Sequence, residues 1–119
     1  MHSILFVDDD AAMRDLVRRS LERQGFFVQP VPTAEVALML LAEQIPFDLL
    51  ITDIVMPGGM NGFELVDRAK ALQPELRVLY LTGYVNLPRR PLAALKGKLV
   101  AKPIPPGALE REVRRMLAA

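Results

Sequence analysis

Five short apolar runs constrain this chain more than any other feature: Ile4–Val7, Phe26–Val28, Leu49–Ile51, Val78–Leu81 and Leu99–Ala101. Between them the apolar residues recur at helical spacing, so the pattern switches repeatedly from strand to helix and back. That alternation predicts βα units around a parallel sheet. The runs at Ile4, Leu49 and Val78 are continuous, as expected for strands covered on both faces.

The helical stripes are Met13, Leu16, Val17, Ser20 and Leu21; then Ala34, Ala37, Leu38, Leu41 and Ile45; then Phe63, Val66, Ala69 and Leu72; and last Leu109, Val113, Met116 and Leu117. Met13, Met39 and Met116 read as core filling. Arg14, Arg18, Arg19 and Arg23 fall largely on the polar side of the first helix. Asp10 and Thr33 are placed to cap the first two helices, Gly25 to end the first, and Pro46 and Pro74 to stop the second and third. Gly58-Gly59 reads as a turn using positive φ. Between the fourth and fifth runs, Pro88 and Pro91 leave room only for a short, late-starting helix. The layout is five βα units in one α/β domain over residues 1–119, with no stretch left over for an output domain.

Composition narrows the function classes. The 119 residues suit one domain, and 51% hydrophobic content excludes a disordered chain. Fifteen basic residues balance fourteen acidic ones with no dense basic block, which argues against direct nucleic-acid binding. With no cysteine, disulfides and thiolate metal sites are excluded. The first strand is expected to begin almost at Met1, leaving no room for a signal peptide ahead of it, and no apolar run approaches a membrane span. A cytoplasmic protein without membrane contact is the expectation.

In open parallel sheets, sites form beyond the carboxyl ends of the strands. Asp8, Asp9 and Asp10 follow the first run, Asp53 ends the third, Thr82 follows the fourth and Lys102 the fifth. Carboxylates converging from two strands suit a hard cation with oxygen ligands such as Mg²⁺. They also suit a carboxylate nucleophile toward phosphorus, with Lys102 and Thr82 beside it. Asp10 keeps the duller role of helix cap.

These motifs resemble those of two-component response-regulator receiver domains, over the whole chain. "VDDD" is similar to the family's acidic pair and places it at Asp8 and Asp9. "ITDIVMPGGMNG" resembles the loop around its phosphorylated aspartate, which falls on Asp53. "YLTG" places the switch hydroxyl at Thr82, and "AKPI" places the phosphate-contacting lysine at Lys102. The resemblance implies a flavodoxin-like, doubly wound (βα)5 fold with strand order 2-1-3-4-5. It implies that Asp53 takes a phosphoryl group from a sensor histidine kinase or a histidine phosphotransfer protein. Mg²⁺, for which Mn²⁺ substitutes, would be held by Asp9, Asp53 and the Val55 backbone carbonyl, with Asp8 acting largely through water. A cis bond before Pro103 is also implied. The switched surface near the last two helices would act on a downstream protein or a fused output domain. Such a domain is no enzyme beyond its own phosphorylation and dephosphorylation.

The chain departs from the family pattern at Leu99, where an aromatic switch residue is usual, and at Ile104, where Phe is usual. The loop after Asp53 is one residue longer than the commoner form, a version associated with hybrid kinases and stand-alone relatives. Tyr84 is placed to limit access to the site.

Two other readings remain open at this level. "ILFVDDD" is also similar to the Asp-x-Asp motif of haloacid-dehalogenase-type phosphatases, with Asp8 as nucleophile and Asp10 as acid/base, although this leaves Asp53 unexplained. A receiver-like fold working as a phosphorylation-independent interaction module is the other.

Overall fold

The computed structural model describes residues 1–56, 59–83, 95–105 and 107–118. Its strands are β1 (Ser3–Val7), β2 (Phe27–Val31), β3 (Leu49–Asp53), β4 (Arg77–Thr82) and β5 (Lys98–Ala101). All pairings are parallel, in the order β2-β1-β3-β4-β5. The four described helices are α1 (Ala11–Arg23), α2 (Ala34–Ala42), α3 (Gly62–Leu72) and α4 (Ala108–Leu117). The predicted short helix with Pro88 and Pro91, and Tyr84, lie outside the described residues.

Strand alternation assigns the helices to the two faces. Leu5, Val7, Leu50, Val78 and Tyr80 point to one side and pack with Ala34, Ala37 and Leu41 of α2 and Phe63, Val66 and Ala69 of α3. Ile4, Phe6, Leu49, Ile51, Leu79 and Leu81 point to the other side and meet Val17 and Leu21 of α1 and Leu109, Val113 and Leu117 of α4. Every residue of β3 is buried, because helices cover it on both sides and strands flank it on both edges. At about 25 cal/mol per Å² of apolar surface removed from water, this double coverage is the main force holding the fold.

Caps set where the helices begin. The Asp10 carboxylate accepts from the N–H groups of Ala12 (2.9 Å) and Met13 (3.3 Å). Thr33 Oγ1 accepts from Val36 N–H. Asn61 and Glu64 form a reciprocal capping box at 2.9 and 3.1 Å. Each such cap contributes roughly 1 kcal/mol.

Several side chains expected in the core face water. Leu16 is 64% exposed, Met39 61%, Leu72 48% and Ile45 36%. In α2 nearly every residue is apolar, so the sequence carries no contrast to single out the inner face; burial of Ala34, Ala37 and Leu41 leaves Met39 on the far side. Leu16 sits beside the β5–α4 connection, where it lines a hollow with Ile104 and Pro105 instead of entering the core. In α3, Leu65 is buried, whereas Leu72, on the same face but at the last residue of the helix, is exposed. Helix α2 also ends at Ala42, before Pro46, because Gln44 turns the chain at φ 62°. Gly59 does not adopt positive φ, and Gly58 lies outside the described residues.

Candidate functional site

The parallel register brings the carboxyl ends of β1, β3, β4 and β5 to one edge of the sheet. Val7 lies beside Thr52, Asp53 beside Leu81, and Thr82 beside Ala101. Each polar residue that follows these positions therefore emerges at nearly the same height. Lys102 N–H donates to the Thr82 carbonyl at 2.7 Å, tying the last two strand ends together. The Lys102–Pro103 peptide bond is cis.

Asp8, Asp9 and Asp53 form a triangle in which one carboxylate oxygen from each lies within 4.8 Å of the others. Among the described residues this is the only such group of possible ligands. Asp8 and Asp53 are buried, whereas Asp9 faces solvent. The Lys102 ammonium contacts Asp53 Oδ1 at 2.7 Å and lies 3.5 Å from Asp8 Oδ2. The first is a short, charge-assisted contact. The second is within ion-pair reach but too long for a strong hydrogen bond. These residues, with Asp10, Met13 and Val55, line a cavity of about 280 Å³.

Electrostatics make the site uncomfortable as it stands. The Asp53 carboxyl is pushed up to about 6: burial raises it most, Lys102 pulls it down, and the neighbouring Asp8 charge raises it again. Burial also works against the Lys102 charge, but contacts with Asp53 and Asp8 outweigh it and hold the ammonium above its ordinary value. Asp8 Oδ1 accepts the Asp10 N–H at 2.9 Å, while the buried Oδ2 has no hydrogen-bond partner among the described residues. A buried, unsatisfied carboxylate oxygen is costly unless another positive group serves it. Three carboxylates facing one ammonium, all oxygen donors, suit a divalent hard cation.

Two contributors were not legible from the sequence pattern. Arg14, counted there among the solvent-facing arginines, turns back so that its Nη1 donates to the Asp8 carbonyl at 2.8 Å and braces the acidic turn. Met13, read as core, also lines the site cavity. Asp10 is occupied as the α1 cap. Thr82 is half-buried at the end of β4, and Leu99 is half-buried against the α2–α3 side of the core.

A family model for the response regulator receiver domain matches residues 4–114. The chain belongs to the response-regulator receiver family. A receiver protein of Brucella abortus, CpdR, is 36% identical over 121 residues, covering 100% of this chain and 99% of its own length. The transcriptional regulator DctD of Rhizobium meliloti is 33% identical over 95% of this chain, which spans 25% of that longer protein. Among solved structures, the Thermotoga maritima response regulator TrrA, in complex with Mg²⁺ and BeF, superposes with a TM-score of 0.85. It is 28% identical, with 98% of this chain and 100% of that one covered. Receiver membership and the observed strand order agree, and no helix among the described residues is long and apolar enough to cross a membrane.

Proposed function

We propose that this receiver domain is a phosphoacceptor, with Asp53 taking a phosphoryl group from a phosphohistidine on a sensor kinase or phosphotransfer protein. The observation that carries this reading is the contact of Lys102 Nζ with Asp53 Oδ1, inside a cluster that also holds Asp8 and Asp9. An oxygen–phosphorus bond forms to a carboxylate oxygen of Asp53 as the donor's phosphorus–nitrogen bond breaks. The imidazole leaves with the electron pair and is protonated from solvent. Lys102 sets its ammonium beside the acceptor, where charge gathers on the transferred oxygens. Asp8, Asp9, Asp53 and the Val55 carbonyl would hold a divalent cation. Mg²⁺, or Mn²⁺ in its place, supplies Lewis acidity toward the phosphoryl oxygens when bound.

The acceptor gains negative charge on phosphorylation, which Lys102 and the Thr82 hydroxyl would answer. Because their strand ends are joined by the Lys102–Thr82 backbone hydrogen bond, movement of one loop is passed to the other. With Leu99 at the position where an aromatic is usual, the shift is carried by these loops rather than by rotation of a ring. The target is a separate protein or a fused output domain, in line with relatives such as DctD that are named as transcriptional regulators. The domain catalyses only its own phosphorylation and dephosphorylation.

Intact-mass spectrometry after incubation with acetyl phosphate tests this reading, with and without Mg²⁺, on the wild type and Asp53→Asn. One Mg²⁺-dependent phosphoryl adduct, missing from the variant, is the expected result. Failure of several donors on a folded protein would instead favour a phosphorylation-independent module. An adduct that depends on Asp8 and survives loss of Asp53 would favour the phosphatase-type chemistry.

A further inference from the structure

Gly62 opens α3 directly against the main chain of the proposed acceptor. Its N–H donates to the Ile54 carbonyl at 2.7 Å. A Cβ on Gly62 would overlap the Asp53 carbonyl oxygen, and would lie 2.8 Å from Ile54 Cα and 3.0 Å from the Asp53 carbonyl carbon. All three atoms belong to backbone, which cannot swing aside as a side-chain tip can. The φ of Gly62 is not in the left-handed region, so glycine is required there for space and not for conformational freedom.

The opposite side of the same peptide is equally constrained. Ile54 N–H donates to the Leu81 carbonyl of β4 at 3.1 Å, and Thr52 Oγ1 donates to the Asp53 carbonyl at 2.9 Å. The backbone from Asp53 to Ile54 is thus held between β4 and the first residue of α3. A displacement forced by α3 would move the Asp53 carboxylate relative to Lys102, Asp8 and Asp9, which hang from other strands.

We propose that Gly62 and Thr52 are positioning residues that set the place of the Asp53 carboxylate within the acidic cluster, and through it the affinity for a divalent cation and the rate of phosphoryl acceptance. The rate half of this inference rests on the phosphoacceptor reading, whereas the affinity half does not. Groups that orient a ligand typically change metal affinity by about 10–100-fold when altered.

Two glycines provide controls. A Cβ on Gly97 would overlap the Val78 carbonyl oxygen just as closely, but at the start of β5 and near the opposite end of β4. Gly59 has open space around it. The experiment measures Mn²⁺ affinity by loss of the free-ion paramagnetic resonance signal, thermal stability, and the rate of adduct formation from acetyl phosphate. Gly62→Ala is expected to lose about tenfold or more in Mn²⁺ affinity. Gly97→Ala should fall similarly in Tm yet keep wild-type affinity, and Gly59→Ala should change neither.

Equal affinities in Gly62→Ala and Gly97→Ala would reduce Gly62 to a packing role and overturn the proposal. Should Gly62→Ala fail to fold, Thr52→Val decides, since it keeps the side-chain shape and removes only the hydroxyl. Its affinity is expected to fall about three- to tenfold, alongside a Tm lowered by a few degrees from the lost buried hydrogen bond; unchanged affinity would again overturn the proposal. A wild type that binds Mn²⁺ but accepts no phosphoryl group, with the affinity differences intact, would leave the positioning role standing and remove the phosphoacceptor reading. A wild type that binds no Mn²⁺ would remove the positioning role.

Discussion

The two ends of the sheet differ in a way that cavity size alone would misread. At the amino end lies the larger hollow, about 850 Å³, lined by residues including His2, Phe47, Asp48, Glu75 and Arg77. At the carboxyl end the space is about 280 Å³. Yet only the smaller one gathers three carboxylates within 4.8 Å, two of them buried, with an ammonium at 2.7 Å. At the amino end Asp48 is already used in accepting the Ser3 N–H at 2.7 Å. Chemistry in this fold is located by charges forced together against their preference, and volume is a poor guide to it.

The sharpest break of that comparison is removal of the proposed acceptor, Asp53. Asp53→Asn should abolish the phosphoryl adduct outright, while Arg77→Gln and Glu75→Gln in the larger hollow leave it at wild-type level. An adduct sensitive to Arg77 or Glu75 would make the two ends equivalent. Next in size, Lys102→Met should slow adduct formation by about 10²-fold, the usual consequence of removing one charge-stabilising donor. Rate measurements at saturating Mg²⁺ separate this loss from an effect on cation binding.

Stability offers a smaller and opposite effect. The folded Asp53 carboxyl sits at about 6 against an ordinary 3.8, mainly because of burial. Between those values the folded state binds more protons than the unfolded state. The stability of the metal-free protein should therefore fall as pH rises from about 4 through 6, by on the order of 3 kcal/mol. Asp53→Asn should remove most of this slope and be the more stable protein at neutral pH, as urea melts in the presence of a chelator would show. Adding Mg²⁺ should restore stability to the wild type and do little for the variant. A wild type that gains stability over that pH range without metal would contradict the crowding described here.

The smallest predicted change lies in the third acid of the "DDD" run. Asp10→Ala should cost about 1 kcal/mol through loss of the α1 cap and leave the adduct in place. Chemical denaturation paired with the same mass measurement distinguishes it from its neighbours. A lost adduct would return Asp10 to the chemistry.

Much of this was legible because strands and sites follow local rules. Continuous apolar runs mark strands buried on both sides, and in a parallel sheet the residues just after them share one edge. That rule assigns Asp8, Asp9, Asp53, Thr82 and Lys102 to one edge of the sheet. It failed where local contrast was lacking. Helix α2 is apolar nearly all round, so Met39 could not be told from Leu41. The last turn of α3 put Leu72 in water, and Leu16 faces a connection whose path no pattern encodes. Arg14 looked like one more solvated arginine, since nothing local shows that its side chain folds back onto the Asp8 carbonyl.

What the sequence determined by itself was the set of chemical groups and the order in which strands deliver them, because strand and helix periodicities are written in consecutive residues. What only the tertiary structure decided was distance. Lys102 reaches Asp53, an oxygen of Asp8 is buried without a hydrogen bond from the described residues, and α3 presses its first residue onto the Asp53–Ile54 backbone. Those contacts join residues far apart in the chain. They depend on how closely layers pack, and close packing turns a missing Cβ or one ammonium into a determinant of the site.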